Sequence, residues 1–151
     1  MTKRLVAVVA CVAALVAATT VADAASKHTF SATLNARVLN SSQSEIVYTG
    51  IVSGKGLGEG AVIIHVTPAQ AANTFDSTGT AYFKRGTLRF KGTSTTATDP
   101  ATNNATFDGT AKPTGGTGDL KGVKGTVKLT GSSQGSDPTF ATFTLKGSLT
   151  Y

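Results

Sequence analysis

The sequence predicts an all-β protein, an antiparallel eight-stranded closed barrel that follows a cleavable signal peptide. Apolar and polar residues alternate along several short segments, as in strands that bury one face. The part after the leader is rich in Thr, Gly, Ala and Val and poor in Glu, Leu and Met, which is typical of β-sheet. Glycines recur where strands must bend, and no pair of long amphipathic helices could form βαβ units. A β-sandwich is the alternative fold.

The first segment carries the pattern of an export signal. Met1 to Arg4 is short and basic, residues 5–21 are almost wholly Leu, Val and Ala, and Ala22-Asp23-Ala24 is an Ala-x-Ala cleavage pattern. We therefore expect a signal peptide at 1–24 and a single barrel domain at 25–151, secreted or otherwise extracytoplasmic. A membrane anchor is the alternative, but the apolar run of 17 residues is at the lower limit for a bilayer span.

The only cysteine of the chain, Cys11, lies inside that segment. Val8 to Cys11 also resembles a lipoprotein processing box, which is a second alternative. Cleavage after Ala24 leaves no cysteine, so we expect no disulfide, no thiolate nucleophile and no cysteine metal site. The net charge is +6 for the whole chain, and its basic residues are dispersed rather than clustered. This favours a solvated outer wall over an acidic partner, and we expect neither nucleic-acid binding nor stable membrane insertion.

Three strands are predicted in the first half. Thr29–Leu39 alternates cleanly, with Phe30 at the start of its apolar face. The strands at 45–53 and 61–67 are partly apolar on both faces, which predicts cover outside as well as inside. We therefore expect Ile51 and Ile63 to lie at a contact between copies in a homo-oligomer.

The second half predicts five more strands, joined by polar connections. Pro68 cannot donate to a ladder, so a strand ends there, and 68–74 could hold one helical turn. The segment 93–105 is expected to be a loop because it is rich in Thr, Asn and Ala, and 131–138 is expected to be a polar loop. The remaining strands are predicted at 78–84, 87–92, 106–112, from Gly125 onward and at the C-terminus.

The stretch Thr114–Leu129 combines a glycine-rich turn, a single apolar residue at Leu120, a kink at Gly122 and Gly125, and an alternating strand. That arrangement suits a barrel corner, because glycine tolerates positive φ and close backbone approach.

This stretch, Gly-Gly-Thr-Gly followed by Asp-Leu and then Gly-x-x-Gly-x-Val, resembles the signature of the allene oxide cyclase and dirigent-protein barrels. The segment from Phe140 to Gly147 is similar to the closing strand of the cyclases, and the two parts together cover 110–147. The resemblance implies an eight-stranded antiparallel barrel with a small-molecule cavity, often trimeric.

The resemblance reaches the scaffold and not the catalytic set. The plant cyclases place a glutamate directly after an asparagine in the first strand and use a cysteine in the cavity. Here Asn35 is followed by Ala36, and the mature domain has no cysteine. No dirigent-type cluster of acidic residues and tyrosines can be matched. Gly131–Gly135 fits the G-x-S-x-G pattern around Ser133 but lacks the following helix that makes a nucleophile elbow. We therefore assign no catalytic residue, no metal ligand and no cofactor.

Three residues are the candidate ligand-binding side chains. Tyr48 shares its face with Ile46 and therefore points into the predicted interior. The alternative for Tyr48 is a core tyrosine whose hydroxyl is hydrogen-bonded within the protein. Glu45 is an acid that could join it there, and Glu59 lies in a glycine-rich corner at a barrel mouth. The favoured function is binding of a small apolar or aromatic molecule in the barrel. The alternatives are a dirigent-like or cyclase-like enzyme that steers a reactive intermediate, and a structural surface protein with a filled barrel.

Overall fold

The chain folds as a closed antiparallel barrel, seen in a computed structural model that describes residues 26–151. Its eight strands follow one another around the wall in chain order, and β8 pairs with β1 to close it. The strands are β1 (Lys27–Ser41), β2 (Ile46–Gly54), β3 (Gly58–Pro68), β4 (Thr74–Phe83), β5 (Gly86–Thr98), β6 (Ala105–Gly116), β7 (Lys124–Gln134) and β8 (Asp137–Thr150).

The prediction of an all-β closed barrel is confirmed, and the β-sandwich alternative is wrong. The expected signal peptide and its cleavage after Ala24 lie outside the described residues. Within 26–151, no helix is long and apolar enough to cross a bilayer.

The hydrophobic core is the inside of the barrel. In β1 every second residue from Phe30 to Ala36 is buried, and the residues between them face outward. The same alternation places Val52, Val62 and Ala81 inside from the next three strands. A strand in which one face is buried has only one permissible register, since a slip of one residue would turn its apolar side chains to water.

The lower end of the barrel is sealed. We give this name to the end that carries the connections 55–57, 84–85 and 117–123. Three apolar side chains from these connections are nearly inaccessible to solvent: Leu57, Leu120 and Val123 are 4%, 0% and 5% exposed. Leu120 ends a short 3-10 turn, Gly118–Leu120, within the stretch that the sequence identified as a barrel corner. We call these three side chains the floor.

Three predicted connections are shorter than expected. β5 continues to Thr98, so the predicted loop at 93–105 is reduced to 99–104. The predicted polar loop at 131–138 is reduced to a turn at 135–136, and the segment 69–73 turns without a helix. Polarity at inward positions misled the prediction. Ser94 and Thr96 face the interior, although they are hydroxyl residues. At position 131 only glycine fits, because the ring of Phe143 occupies the space that a Cβ would need.

The outer wall carries an exposed apolar group on β2, β3 and β4. Ile51 is 48% exposed, Ile63 39% and Tyr82 49%. Ile51 and Tyr82 are both paired with Ala61, so the three strands present one continuous patch. The predicted contact between copies at Ile51 and Ile63 stays a prediction, and a strictly monomeric mass at micromolar concentration would contradict it.

Candidate functional site

Two cavities of unequal size lie inside the barrel that residues 26–151 form. The larger, which we call the upper cavity, has a volume of about 250 Å³ and lies toward the end formed by the connections 42–45, 69–73, 99–104 and 135–136. The smaller measures about 60 Å³, is lined mainly by apolar side chains and lies toward the floor. An apolar cavity of that size offers a water molecule few hydrogen-bond partners, so it is a packing void. The upper cavity is therefore the candidate site.

The upper cavity opens away from the floor. Ile46, Val66, Phe75 and Phe107 line it near the strand ends and retain partial solvent exposure, although they point inward. The floor residues at the opposite end are nearly inaccessible. A solute therefore reaches the interior from the upper end.

The walls of the upper cavity differ in polarity. Ser77 on β4 and Ser94 and Thr96 on β5 present hydroxyl groups from two adjacent strands. In a ring of eight strands in chain order, β4 and β5 lie opposite β8 and β1. Those opposite strands supply purely apolar side chains, among them Leu34 and Phe143. We call Ser77, Ser94 and Thr96 the hydroxyl wall.

One hydroxyl of this wall has no hydrogen-bond partner. The Oγ1 atom of Thr96 is buried, and no described atom of the protein donates to it or accepts from it. A buried hydroxyl that loses its water partners without replacing them destabilises the fold by about 1–3 kcal/mol. The Oγ1 atom has almost no accessible surface, so a solute in the cavity does not reach it, and the unpaired hydroxyl is a local weakness of the wall.

Tyr48 lines the cavity from β2. Burial raises the pKa of its phenol above the ordinary value, and burial is the sole cause of that shift. Low polarity around the oxygen disfavours the phenolate, so Tyr48 is a neutral donor and acceptor at physiological pH. Its position inside the barrel is the one that the alternation along β2 predicted.

The two predicted carboxylates face outward. The Oε1 atom of Glu45 lies 2.9 Å from Nδ1 of His65 on the outer face of the wall. Glu59 is exposed on β3, where it pairs with Ser53 near the lower end. Neither lines the upper cavity. Tyr48 and Glu45 therefore point to opposite sides of the wall. Their convergence on an open cavity would have favoured a dirigent-like or cyclase-like enzyme.

The residues that line the upper cavity include no charged side chain among those described. Within residues 26–151, no group of three His, Cys, Asp or Glu side chains is arranged to hold a metal ion. The chemistry that the cavity offers is therefore neutral hydrogen bonding at the hydroxyl wall and Tyr48, and apolar contact elsewhere.

The hydroxyl wall was missed from the sequence. Its three residues lie in segments where polar residues occupy both faces, and a period of two in hydrophobicity cannot reveal which face is inside. The available signal was the run of Thr and Ser at 93–98, which is rich in β-branched residues and suits a strand.

Comparisons of this chain with protein-family models, with curated proteins and with solved structures found no match.

Proposed function

We propose that this protein is exported and that its barrel binds one small, neutral, largely apolar or aromatic molecule in the upper cavity. The observation that carries the proposal is the cavity itself: about 250 Å³ of space in the core, lined by aliphatic and aromatic side chains with a few hydroxyl groups. Binding sites for small molecules have this composition, with many apolar contacts and a few polar groups that orient the ligand.

The volume limits the ligand to a small molecule. An apolar cavity of about 150 Å³ accommodates benzene, so scaling by volume gives about ten non-hydrogen atoms for the upper cavity. This corresponds to a bicyclic skeleton or a benzene ring with a short substituent. A barrel of eight strands has an interior wide enough for one such ligand.

The absence of charge in the lining supports a neutral ligand. Transfer of an ionised group from water to a cavity without a counter-charge costs several kcal/mol or more. The carboxylate of Glu45 lies on the outer face of the wall, beside His65. The free space inside the barrel supports a ligand-binding function over the alternative of a structural protein whose barrel is filled by its own side chains.

We also propose kinship with the allene oxide cyclase and dirigent barrels at the level of the scaffold. Two features support it: eight antiparallel strands closed in chain order, and the corner at Thr114–Leu129, where Leu120 enters the floor. Fold alone does not transfer an activity, so the proposal is restricted to the container.

The function is tested by native mass spectrometry of the protein purified from its own host. We expect a fraction of molecules to carry one small neutral adduct that is released on unfolding. The variant Ser94→Leu places an isobutyl group in the cavity and should lose the adduct. Thr95→Leu, one residue along and on the outer face, is the matched control and should retain it. A bare polypeptide mass for the wild type, or an adduct retained by Ser94→Leu, would contradict the proposal.

A further inference from the structure

Four lysines that are dispersed along the sequence lie side by side on the outer wall of the barrel. Lys91, Lys112, Lys128 and Lys146 belong to β5, β6, β7 and β8, which are neighbours in the ring of strands. All four side chains are exposed, whereas Ala111, directly before Lys112, is buried in the core. We call these four residues the lysine belt.

The register of the strands makes the lysine belt continuous. Lys91 is directly opposite Lys112 across β5 and β6, and Lys128 is directly opposite Lys146 across β7 and β8. Thr110, the partner of Lys128 on β6, is two residues from Lys112, so the two lysine pairs are diagonal neighbours. Diagonal neighbours on one face of a sheet are about 7–8 Å apart, within reach of long side chains. The belt therefore spans four adjacent strands of the eight.

The positive charge of the lysine belt is only partly compensated. The strands β5, β6 and β7 contain a single carboxylate, Asp108, whose Oδ2 atom lies 3.1 Å from Nζ of Lys128. Among the described residues, Lys91, Lys112 and Lys146 form no ion pair. Like charges directly opposite each other destabilise a sheet. Solubility alone does not require that arrangement, so it favours a surface that binds an anionic partner.

The outward positions beside the lysine belt carry hydroxyl groups rather than aromatic rings. Thr93, Thr110 and Thr126 are exposed on β5, β6 and β7. The aromatic residues of these three strands, Phe90 and Phe107, line the interior. Proteins that bind single-stranded nucleic acid stack its bases on aromatic side chains, which this face lacks. Lysines flanked by threonines offer charge and hydrogen bonds, which match the carboxylates and hydroxyls of a chain of acidic sugars.

The curvature of the wall favours a flexible partner over a flat or stiff one. Around a closed ring of eight strands, neighbouring strands face directions about 45° apart, so Lys91 and Lys146 face directions about 135° apart. A flat bilayer or a stiff DNA duplex therefore contacts only part of the lysine belt. A flexible polymer can follow the belt around the barrel.

We infer that the lysine belt binds a linear acidic polysaccharide, whose carboxylates pair with successive lysines around the outer wall. Lysine ammonium groups donate charge-assisted hydrogen bonds to carboxylates. One exposed ion pair contributes at most about a fivefold change in affinity, so binding depends on several pairs formed together. The lysine belt is separate from the upper cavity, and the inference does not rest on the ligand proposed for that cavity.

The inference is tested with polygalacturonate, a linear polysaccharide that carries one carboxylate on each sugar. Its affinity is measured for the wild type, for Lys91→Gln/Lys112→Gln and for Lys55→Gln/Lys84→Gln. The last variant loses the same charge from the connections at the lower end and is the matched control. We expect the belt variant to bind about tenfold more weakly at low salt, and the control to retain the affinity of the wild type. Equal losses in both variants would show attraction to net charge alone and would overturn the inference.

The salt dependence of binding gives a measurement that a change in folding would not reproduce. Release of counterions makes the logarithm of the affinity fall linearly with the logarithm of the salt concentration, by about 0.7 for each charge neutralised on a flexible polyanion. The slope for the belt variant should therefore be shallower by about 1.4, and the slope for the control should be that of the wild type. The Tm of the belt variant should not fall, because Lys91 and Lys112 repel each other. An unchanged slope in the belt variant would contradict contact at the belt.

Two further probes test the class of partner. Vesicles that contain phosphatidylglycerol present a flat anionic surface, and duplex DNA is a stiff anionic rod. At the same salt concentration, we expect both to bind the wild type more weakly than polygalacturonate does. Tighter binding of the vesicles or of the DNA would overturn the assignment of a polysaccharide.

Discussion

The side chain of Arg85 joins the connections at the lower end of the barrel by donating from Nε to Oδ2 of Asp119 over 2.8 Å. Its Nη1 atom donates to the carbonyl oxygen of Gly56 over 3.0 Å. One residue from the β4–β5 turn is thereby bound to both the β2–β3 turn and the β6–β7 loop. Asp119 precedes Leu120 of the floor, and its hydrogen bond and charge raise the pKa of Arg85. The polar contacts outside thus hold the apolar floor inside.

Removal of the Arg85 side chain should loosen the floor without unfolding the barrel. In Arg85→Ala we expect faster amide hydrogen exchange at Leu120 and Val123, whose backbone N–H groups lie in the loop that Asp119 anchors. Exchange in the central part of β1 should remain as slow as in the wild type. Lys84→Ala changes the neighbouring exposed cation and is the control. Unchanged exchange at Leu120 in Arg85→Ala would show that the ion pair does not hold the floor.

Two glycines of the corner should differ in their tolerance of alanine. Gly125 has φ of 138° and Gly122 has φ of 78°, so both adopt conformations that L-residues avoid. A Cβ at Gly125 would collide with the carbonyl oxygen of Ser148 on β8, whereas a Cβ at Gly122 would meet open space. We expect Gly122→Ala to cost about 1 kcal/mol from the backbone alone and Gly125→Ala more than about 3 kcal/mol.

Urea denaturation of the two variants measures this difference. The free energy of unfolding of Gly125→Ala should be the lower of the two by about 2 kcal/mol or more. Equal free energies of unfolding would mean that β7 and β8 separate enough to accommodate the new Cβ without loss of stability.

Loss of the buried hydroxyl at Thr96 should stabilise the empty barrel. Thr96→Val replaces an unpaired polar group with a methyl group of similar shape, in a strand where β-branched residues are favourable. We expect a gain of about 1 kcal/mol, or a rise in Tm of about 4 °C, in ligand-free protein. Thr95→Val, on the outer face, should change the stability by less than about 0.5 kcal/mol. A lower Tm for Thr96→Val would contradict the absence of a hydrogen-bond partner for the hydroxyl.

Tyr48 should make the barrel less stable in alkali. Because burial raises the pKa of the folded phenol, the unfolded chain loses this proton at a lower pH than the folded chain does. Folding then retains a proton that the unfolded state has released, and the free energy of unfolding falls as the pH rises from about 10 through the folded pKa. Below pH 10 the phenol is neutral in both states and contributes no pH dependence.

Tyr48→Phe should reduce this alkaline loss of stability, measured by denaturation between pH 9 and pH 11. Tyr82→Phe removes an exposed phenol from the outer wall and should leave the loss in place. An identical pH profile for the wild type and Tyr48→Phe would contradict the burial of the Tyr48 oxygen.

The sequence predicted the strands of the barrel wall better than the side chains that line the cavity. Alternation along β1 predicts the buried residues from Phe30 to Ala36, because a strand with one apolar face has a single register. Tyr48 lies on the inward face of β2, which it shares with Ile46 as the sequence predicts. The hydroxyl wall could not be predicted in this way. Its inward positions are occupied by Ser and Thr, and the richness of 93–105 in Thr, Asn and Ala predicts a loop, which is wrong up to the end of β5 at Thr98.

Glu45 and Glu59 show how far the sequence predicts the position of single side chains. Their neighbourhood in the sequence suggests cavity residues, yet both face outward, and Glu45 is hydrogen-bonded to His65. Glu45 directly precedes the inward-facing Ile46, and Glu59 lies an odd number of residues from the inward-facing Val62, so alternation along the strands turns both carboxylates outward.

The four isoleucines of the chain provide the most direct test of the ligand cavity. Ile46 and Ile64 line the upper cavity, whereas Ile51 and Ile63 are exposed on the outer wall. Protein labelled at the isoleucine δ1-methyl groups is titrated with 1-indanone and followed by methyl NMR. We expect the resonances of Ile46 and Ile64 to shift and saturate together while those of Ile51 and Ile63 remain in place. Shifts at Ile51 and Ile63, or no shift at Ile46 and Ile64, would contradict a ligand site inside the barrel.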